Sequence, residues 1–162
     1  MTAPIDVLAA LPHRYPMLLV DRVAEVAPGR HIRALKAVTL NEPWYAASVP
    51  GSPADLAYPQ VLLVESWGQA AGLLANVSFP TEPGQVMLFG SMSDVTFGRP
   101  VRPGDVIEHD ARVLKSLGDT VVFEGSSRVG DDEVLGVGRM VMAMRPAAVL
   151  RPDALAGSET RS

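Results

Sequence analysis

Between Gln60 and Asn76 the chain reads QVLLVESWGQAAGLLAN, with no proline and no turn-forming cluster to interrupt it. Pro59 stands just before this run, where a fixed φ and a missing N–H suit the first turn of a helix. Seventeen residues at 1.5 Å each make a rod about 25 Å long. Apolar side chains fall on nearly all its faces, so this helix must be wrapped by protein on most sides. Gly68 and Gly72 have the small-xxx-small spacing that lets another backbone approach closely, which reads as packing.

The wrapping material lies C-terminal to the helix. Extended segments are expected at Gln85 to Ser93, Asp105 to Ser116, Asp119 to Val129 and Glu133 to Arg145, divided by turn signals at Arg102-Pro103-Gly104, Leu117-Gly118-Asp119 and Gly130-Asp131-Asp132. Before the helix, Met17 to Val20 begins an extended apolar run, and Arg30 to Thr39 is strand-like, although its apolar face is not clean. Pro28-Gly29 supports a hairpin there, and Asn41 to Tyr58 reads as loop. Long antiparallel strands with one buried helix predict an α+β fold, a curved sheet wrapped around the helix. Residues 1–146 form one expected domain, and 147–162, small and polar, an expected frayed tail.

Composition removes several function classes. A net charge of −4 with few aromatics argues against a nucleic-acid binder. The absence of cysteine excludes disulfides and thiolate nucleophiles, and fits a reducing compartment. The start, MTAPIDVLAALPHRYP, lacks a basic segment and is broken by prolines, and no apolar run reaches a membrane span, so a cytoplasmic protein is expected. His13, His31 and His109 lack clustered spacing, so no metal or other cofactor is expected, and each reads as structural. Gly136-Val137-Gly138 lies within a strand and completes no dinucleotide loop, and no G-x-S-x-G marks a serine nucleophile.

Glu65 is the residue that packing does not explain. A carboxylate on an all-round apolar helix loses hydration and must find a donor or change its protonation. Gln69, four residues on, shares its face and can donate to it. In the loop FGRPVRPGD (Phe97 to Asp105), Arg99 and Arg102 stand beside prolines, and their planar forks suit phosphate or carboxylate recognition.

Taken in order, LPHRYPMLLVDRV (Leu11 to Val23), AVTLNEP (Ala37 to Pro43), VLLVESWGQAAGLL (Val61 to Leu74) and FGRPVRPGD resemble the 3-hydroxyacyl-acyl-carrier-protein dehydratases, from about residue 8 to 146. The resemblance implies a hot-dog fold, a dimer with shared sites that often assembles further, and acyl carrier protein as partner. In that family a loop histidine takes the α-proton of the thioester and the helix glutamate, here Glu65, handles the departing hydroxyl. The two come from different subunits.

This chain departs from the pattern. The family's N-E-P-F-F-x-G-H-F-P-G stands here as NEPWYAASVPG, which puts Ser48 at the histidine position and Ala47 at the preceding glycine. Three further residues precede the helix, and Gln60 replaces a glycine where backbone N–H groups can polarise the thioester carbonyl. An un-ionised serine hydroxyl is no general base by itself. Three alternatives follow: a histidine-bearing partner subunit completes a composite site around Glu65; the insertion supplies a new base, with Asp55 or Tyr58 as candidates; or the protein binds acyl chains or carrier protein without chemistry. The resemblance also implies an acyl tunnel beside the helix, contacted by Gln60 and Val61 and walled by Trp67, Phe89 and Phe97, with Arg99 and Arg102 docking the carrier protein. His13 and Arg14 would shape the N-terminal turn alone. Divergence at the histidine position favours a specialised route such as polyketide assembly over housekeeping fatty-acid synthesis.

Overall fold

The computed structural model describes residues 5–47, 56–79 and 83–150. A short helix, α1 (Val7–Ala10), is capped by the Asp6 carboxylate, which accepts from the backbone N–H groups of Leu8 and Ala9. The hairpin β1 (Arg22–Ala27) and β2 (His31–Ala37) turns through Gly29, whose φ of +73° suits a residue without Cβ. The long helix α2 (Gln60–Ser78) follows, and then β3 (Gln85–Phe97), β4 (Val106–Leu117), β5 (Thr120–Val129) and β6 (Asp132–Pro146).

The six strands form one antiparallel sheet in the order β1-β2-β4-β5-β6-β3, with β1 and β3 at its edges. Register shifts at Phe89/Ser91, Val113/Lys115 and Phe123/Gly125 bend the strands, as bulges do, and curve the sheet toward α2. Alternation then decides which side chains point inward: Ile32 and Ala34 from β2, Ile107, His109 and Ala111 from β4, Val121 and Phe123 from β5. They close on Trp67, Ala70, Ala71, Leu73 and Leu74 of α2, all without solvent exposure. The helix is therefore buried by the sheet's concave face, as its composition requires. Among the described residues no helix is long and apolar enough to cross a membrane.

Lys36 explains the imperfect apolar face of β2. It points inward with Ile32 and Ala34, and its ammonium is satisfied by Glu42 Oε1 at 3.0 Å and the Ala37 carbonyl at 2.7 Å. Glu42 also accepts from the Thr39 N–H, so this buried pair pins the start of the NEPWY segment to the sheet. Gly98 has a different task. A Cβ there would lie 2.0 Å from the Glu133 carbonyl oxygen, so only glycine lets the chain leave β3 against β6.

Several expected boundaries shift. Met17 to Val20 is not a strand; β1 begins only at Arg22. The short helix α1 precedes the N-terminal turn, Pro43–Tyr45 forms a 3-10 turn inside the expected loop, and β3 runs on to Phe97. Ala147–Leu150 is a further 3-10 turn, and the rest of the expected tail lies outside the described residues.

Candidate active site

One face of α2 is not covered by the sheet. Glu65, Gly68, Gln69, Gly72 and Asn76 line a cleft of about 260 Å³, closed on its other sides by Leu11 and His13 of the turn after α1 and by Met87, Phe89 and Met142 of the β3/β6 pair. This overturns the reading of a helix apolar and buried all round. The Glu65 side chain is 41% exposed and sits at the cleft, not in a dry core. The glycine pair is corrected too. Among the described residues no backbone atom comes within 4 Å of a Cβ built on either: one on Gly68 would first meet Met140 Sδ, and one on Gly72 would meet Leu11 Cδ2, both at 3.9 Å. Their missing side chains form the floor of the cleft.

Gln69 makes the contact that its spacing predicts. Its Nε2 donates to Glu65 Oε1 at 3.0 Å and to the Met17 carbonyl at 2.7 Å, while its Oε1 accepts from the Leu19 N–H at 2.8 Å. Both amide protons and the amide oxygen are engaged, so the amide orientation is fixed by its surroundings. Ser66 adds a third tie to this segment, donating from Oγ to the Leu19 carbonyl at 2.6 Å. Polar positions of α2 thus hold the segment 17–19 against the helix, and with it the turn that precedes it.

Behind this clamp lies His109, fully buried between two serines. Ser66 has committed its one proton to Leu19, so it accepts from His109 Nε2–H at 2.7 Å, and His109 Nδ1 accepts from Ser127 Oγ at 2.7 Å. Burial, reinforced by the Lys36 charge, holds the His109 imidazole down to about 3, which keeps it neutral. Ser66 and His109 are no nucleophile pair, since the serine proton points at a carbonyl and the nitrogen beside it is a donor. This network is structural, as the sequence reading of His109 holds.

His13 requires a correction. The turn Leu11 to Leu18 is braced by Arg14, whose guanidinium donates to the carbonyls of Leu11 and His13, and by Met17 and Leu18 N–H groups on the Arg14 carbonyl. It does more than shape itself. It delivers His13 Nε2 to 3.5 Å from Glu65 Oε1, within the same cleft. About fifty residues of chain separate the two, so only the fold brings them together.

The remaining expected site residues divide among different places. Phe89 lines the Glu65 cleft, 61% exposed on β3. Gln60 and Phe97 line a second cavity of about 340 Å³ with Tyr58, Leu63 and Arg99. Val61 is exposed on the first turn of α2 and lines neither. Trp67 is not a tunnel wall: it is fully buried against the sheet, its Nε1–H on the Asp110 carbonyl at 2.9 Å. Within one chain Tyr58 and Glu65 line different cavities. Tyr58 packs edge-on to Trp44 at 5.6 Å, and burial, with the Glu42 charge, makes its phenol harder to ionise than usual. Arg99 lies on the surface in ion pairs with two carboxylates, Asp132 at 2.7 Å and Asp105 at 3.1 Å. Ser48 and Asp55 lie outside the described residues.

The FabA-like domain family model matches residues 11–137. This chain belongs to that family. Among curated relatives, the 3-hydroxyacyl-[acyl-carrier-protein] dehydratase FabZ of Caulobacter vibrioides is 39% identical over 127 residues, covering 78% of each chain. The FabZ of Campylobacter concisus is 40% identical over 132 residues, covering 78% of this chain and 87% of the relative. Among solved structures, the dehydratase heterocomplex ApeI:P from Xenorhabdus doucetiae superposes with a TM-score of 0.73 at 18% identity, over 95% of this chain and 99% of that one. The fluoroacetyl-CoA thioesterase FlK gives 0.63 at 18%, over 85% and 99%. The hot-dog architecture expected from the sequence is thus shared with FabA-like proteins and with thioesterases of the same fold.

Proposed function

We propose that this FabA-like protein is a lyase that removes water from 3-hydroxyacyl thioesters carried by acyl carrier protein, with Glu65 protonating the departing hydroxyl. The observation that carries the reading is the Glu65–Gln69 pair, fixed at an apolar cleft in a chain whose FabZ relatives are named for that reaction. The acyl chain extends along Phe89, Met87 and Met142, over the floor left open by Gly68 and Gly72. Arg99 and Arg102 of the FGRPVRPGD loop are the candidates for meeting the acidic carrier and its phosphopantetheine phosphate.

A second reading concerns the site's other half. NEPWYAASVPG has no histidine, which favours a composite site in which a related subunit supplies one across an interface. The exposed edge strand β3, with Phe89 and Phe97 on it, and the exposed Val61 beside Glu65's face offer that subunit a surface. A polyketide route suits such a heteromer.

Purified protein is incubated with 3-hydroxyacyl carrier protein, and loss of water from the acyl group is followed by mass spectrometry, with Glu65→Gln as control. Water loss abolished by the substitution supports the dehydratase reading. Water loss indifferent to it, or none even with a histidine-bearing homologue added, overturns it.

A further inference from the structure

We infer that His13 is the second catalytic residue of this site, supplying from the same chain the base that the NEPWYAASVPG loop lacks; the inference rests on the dehydratase reading of Glu65. Its foundation is geometric. His13 Nε2 and Glu65 Oε1 are 3.5 Å apart, both side chains are about a third to two-fifths exposed, and both open into the same cleft. The pair is built, not incidental. Gln69 holds the carboxylate and, through Met17 and Leu19, the segment following the His13 turn, while Arg14 closes that turn on the His13 carbonyl. One glutamine therefore fixes the distance between the two groups.

The spacing suits the chemistry. In a 3-hydroxyacyl thioester the α-hydrogen and the β-hydroxyl sit on adjacent carbons, so two proton-handling groups a few ångströms apart can reach both from one side. His13 Nε2 takes the proton from C2, the C2–H pair becomes the C2=C3 double bond, and the C3–O bond breaks as protonated Glu65 gives its proton to the hydroxyl, which leaves as water. The histidine has then gained a proton and the carboxylate has lost one. Transfer from His13 to Glu65 across their contact restores the starting state, with no external oxidant, metal or co-reactant needed.

One feature of the pair limits the rate. For Nε2 to accept, the neutral imidazole must carry its proton on Nδ1, and that nitrogen is buried with no hydrogen-bond partner among the described residues. No partner among the described residues orients that Nδ1–H, so the enzyme is expected to be slow beside one whose histidine has an oriented Nδ1–H.

The test uses the full chain with 3-hydroxybutyryl and 3-hydroxydecanoyl carrier protein, comparing wild type, His13→Ala, His13→Gln and Glu65→Gln, with melting temperature and oligomeric state recorded for each. His13→Ala is expected to lower kcat by about 10²- to 10⁴-fold with KM little changed. Added imidazole should restore part of that rate in proportion to its free-base concentration, and the fall of kcat toward low pH expected of wild type should flatten in the variant. A residue that only braced the turn would show neither rescue nor an altered pH profile. The inference is overturned, and the dehydratase reading kept, if both His13 variants stay folded and active while Glu65→Gln is dead. It is likewise overturned if folded His13→Ala is inactive but imidazole restores nothing, or if activity appears only with a histidine-bearing subunit. Water loss indifferent to Glu65→Gln, or absent under every condition, overturns both.

Discussion

The buried His109 makes a stability prediction that can be worked through from its surroundings. In the unfolded chain an ordinary histidine titrates near 6.5, whereas burial holds His109 to about 3 in the fold. Between those values the unfolded state binds a proton that the native state refuses, so stability rises with pH there and is lost as pH falls below about 6.5. Above 6.5 neither state is protonated and the contribution is flat. At pH 5.0 the difference amounts to about 1.5 pH units at 1.36 kcal/mol each, or about 2 kcal/mol lost relative to pH 7.5. His109 has no solvent exposure, so the figure needs no reduction for screening. Urea unfolding at pH 7.5 and pH 5.0, at one protein concentration, reads it as a midpoint change of about 1 M. The reference is His109→Gln, or His109→Asn if Gln is not tolerated, which leaves every other titratable group in place. Either variant is less stable at pH 7.5 but lacks this acid dependence. If wild type and variant lose the same stability between the two pH values, the neutral buried imidazole is refuted.

Three further outcomes follow from the same geometry. Gln69→Leu orphans the Leu19 N–H and the Met17 carbonyl and releases Glu65, so it should destabilise by about 1–3 kcal/mol and reduce kcat more than KM, checked by urea unfolding and steady-state kinetics. Glu42→Ala leaves the Lys36 ammonium buried without its carboxylate and should cost about 3–5 kcal/mol; Lys36→Met with Glu42→Leu, which removes both charges, should recover most of that in the same measurement. Gly72→Ala gains about 0.5–1 kcal/mol of helix stability because its new methyl meets only Leu11 at 3.9 Å, yet it raises the cleft floor, so thermal stability should rise while turnover of the longer acyl chain falls.

Two kinds of information in this sequence behaved differently when folded. Local periodicity was legible: α2 follows from an unbroken apolar run, the Glu65–Gln69 hydrogen bond from an i, i+4 spacing, and the inward set Ile107, His109 and Ala111 from alternation. What periodicity could not show was which face of α2 would be left open. Because Val61 and Glu65, with the glycines at 68 and 72, share a stripe whose residues are mostly small or apolar, the helix looked buried on every side. Covering depends on where the turn after α1 and the β3/β6 edge lie, and neither is written in the helix.

The position of His13 is the sharper case. Nothing near Leu11 to Pro16 in sequence points to Glu65, and the contact exists because Gln69 reads two backbone groups at Met17 and Leu19 while Ser66 reads a third. Backbone groups carry no side-chain signature, so this docking leaves no periodic pattern behind it. The trace it does leave is at residues 66 and 69, two polar side chains facing inward on an apolar helix next to Glu65. Buried polar groups must be paired, and α2 itself cannot pair them all. Ser66 and Gln69 thus required a partner segment from elsewhere in the chain, and whatever that segment carried at its near end would be set beside the carboxylate.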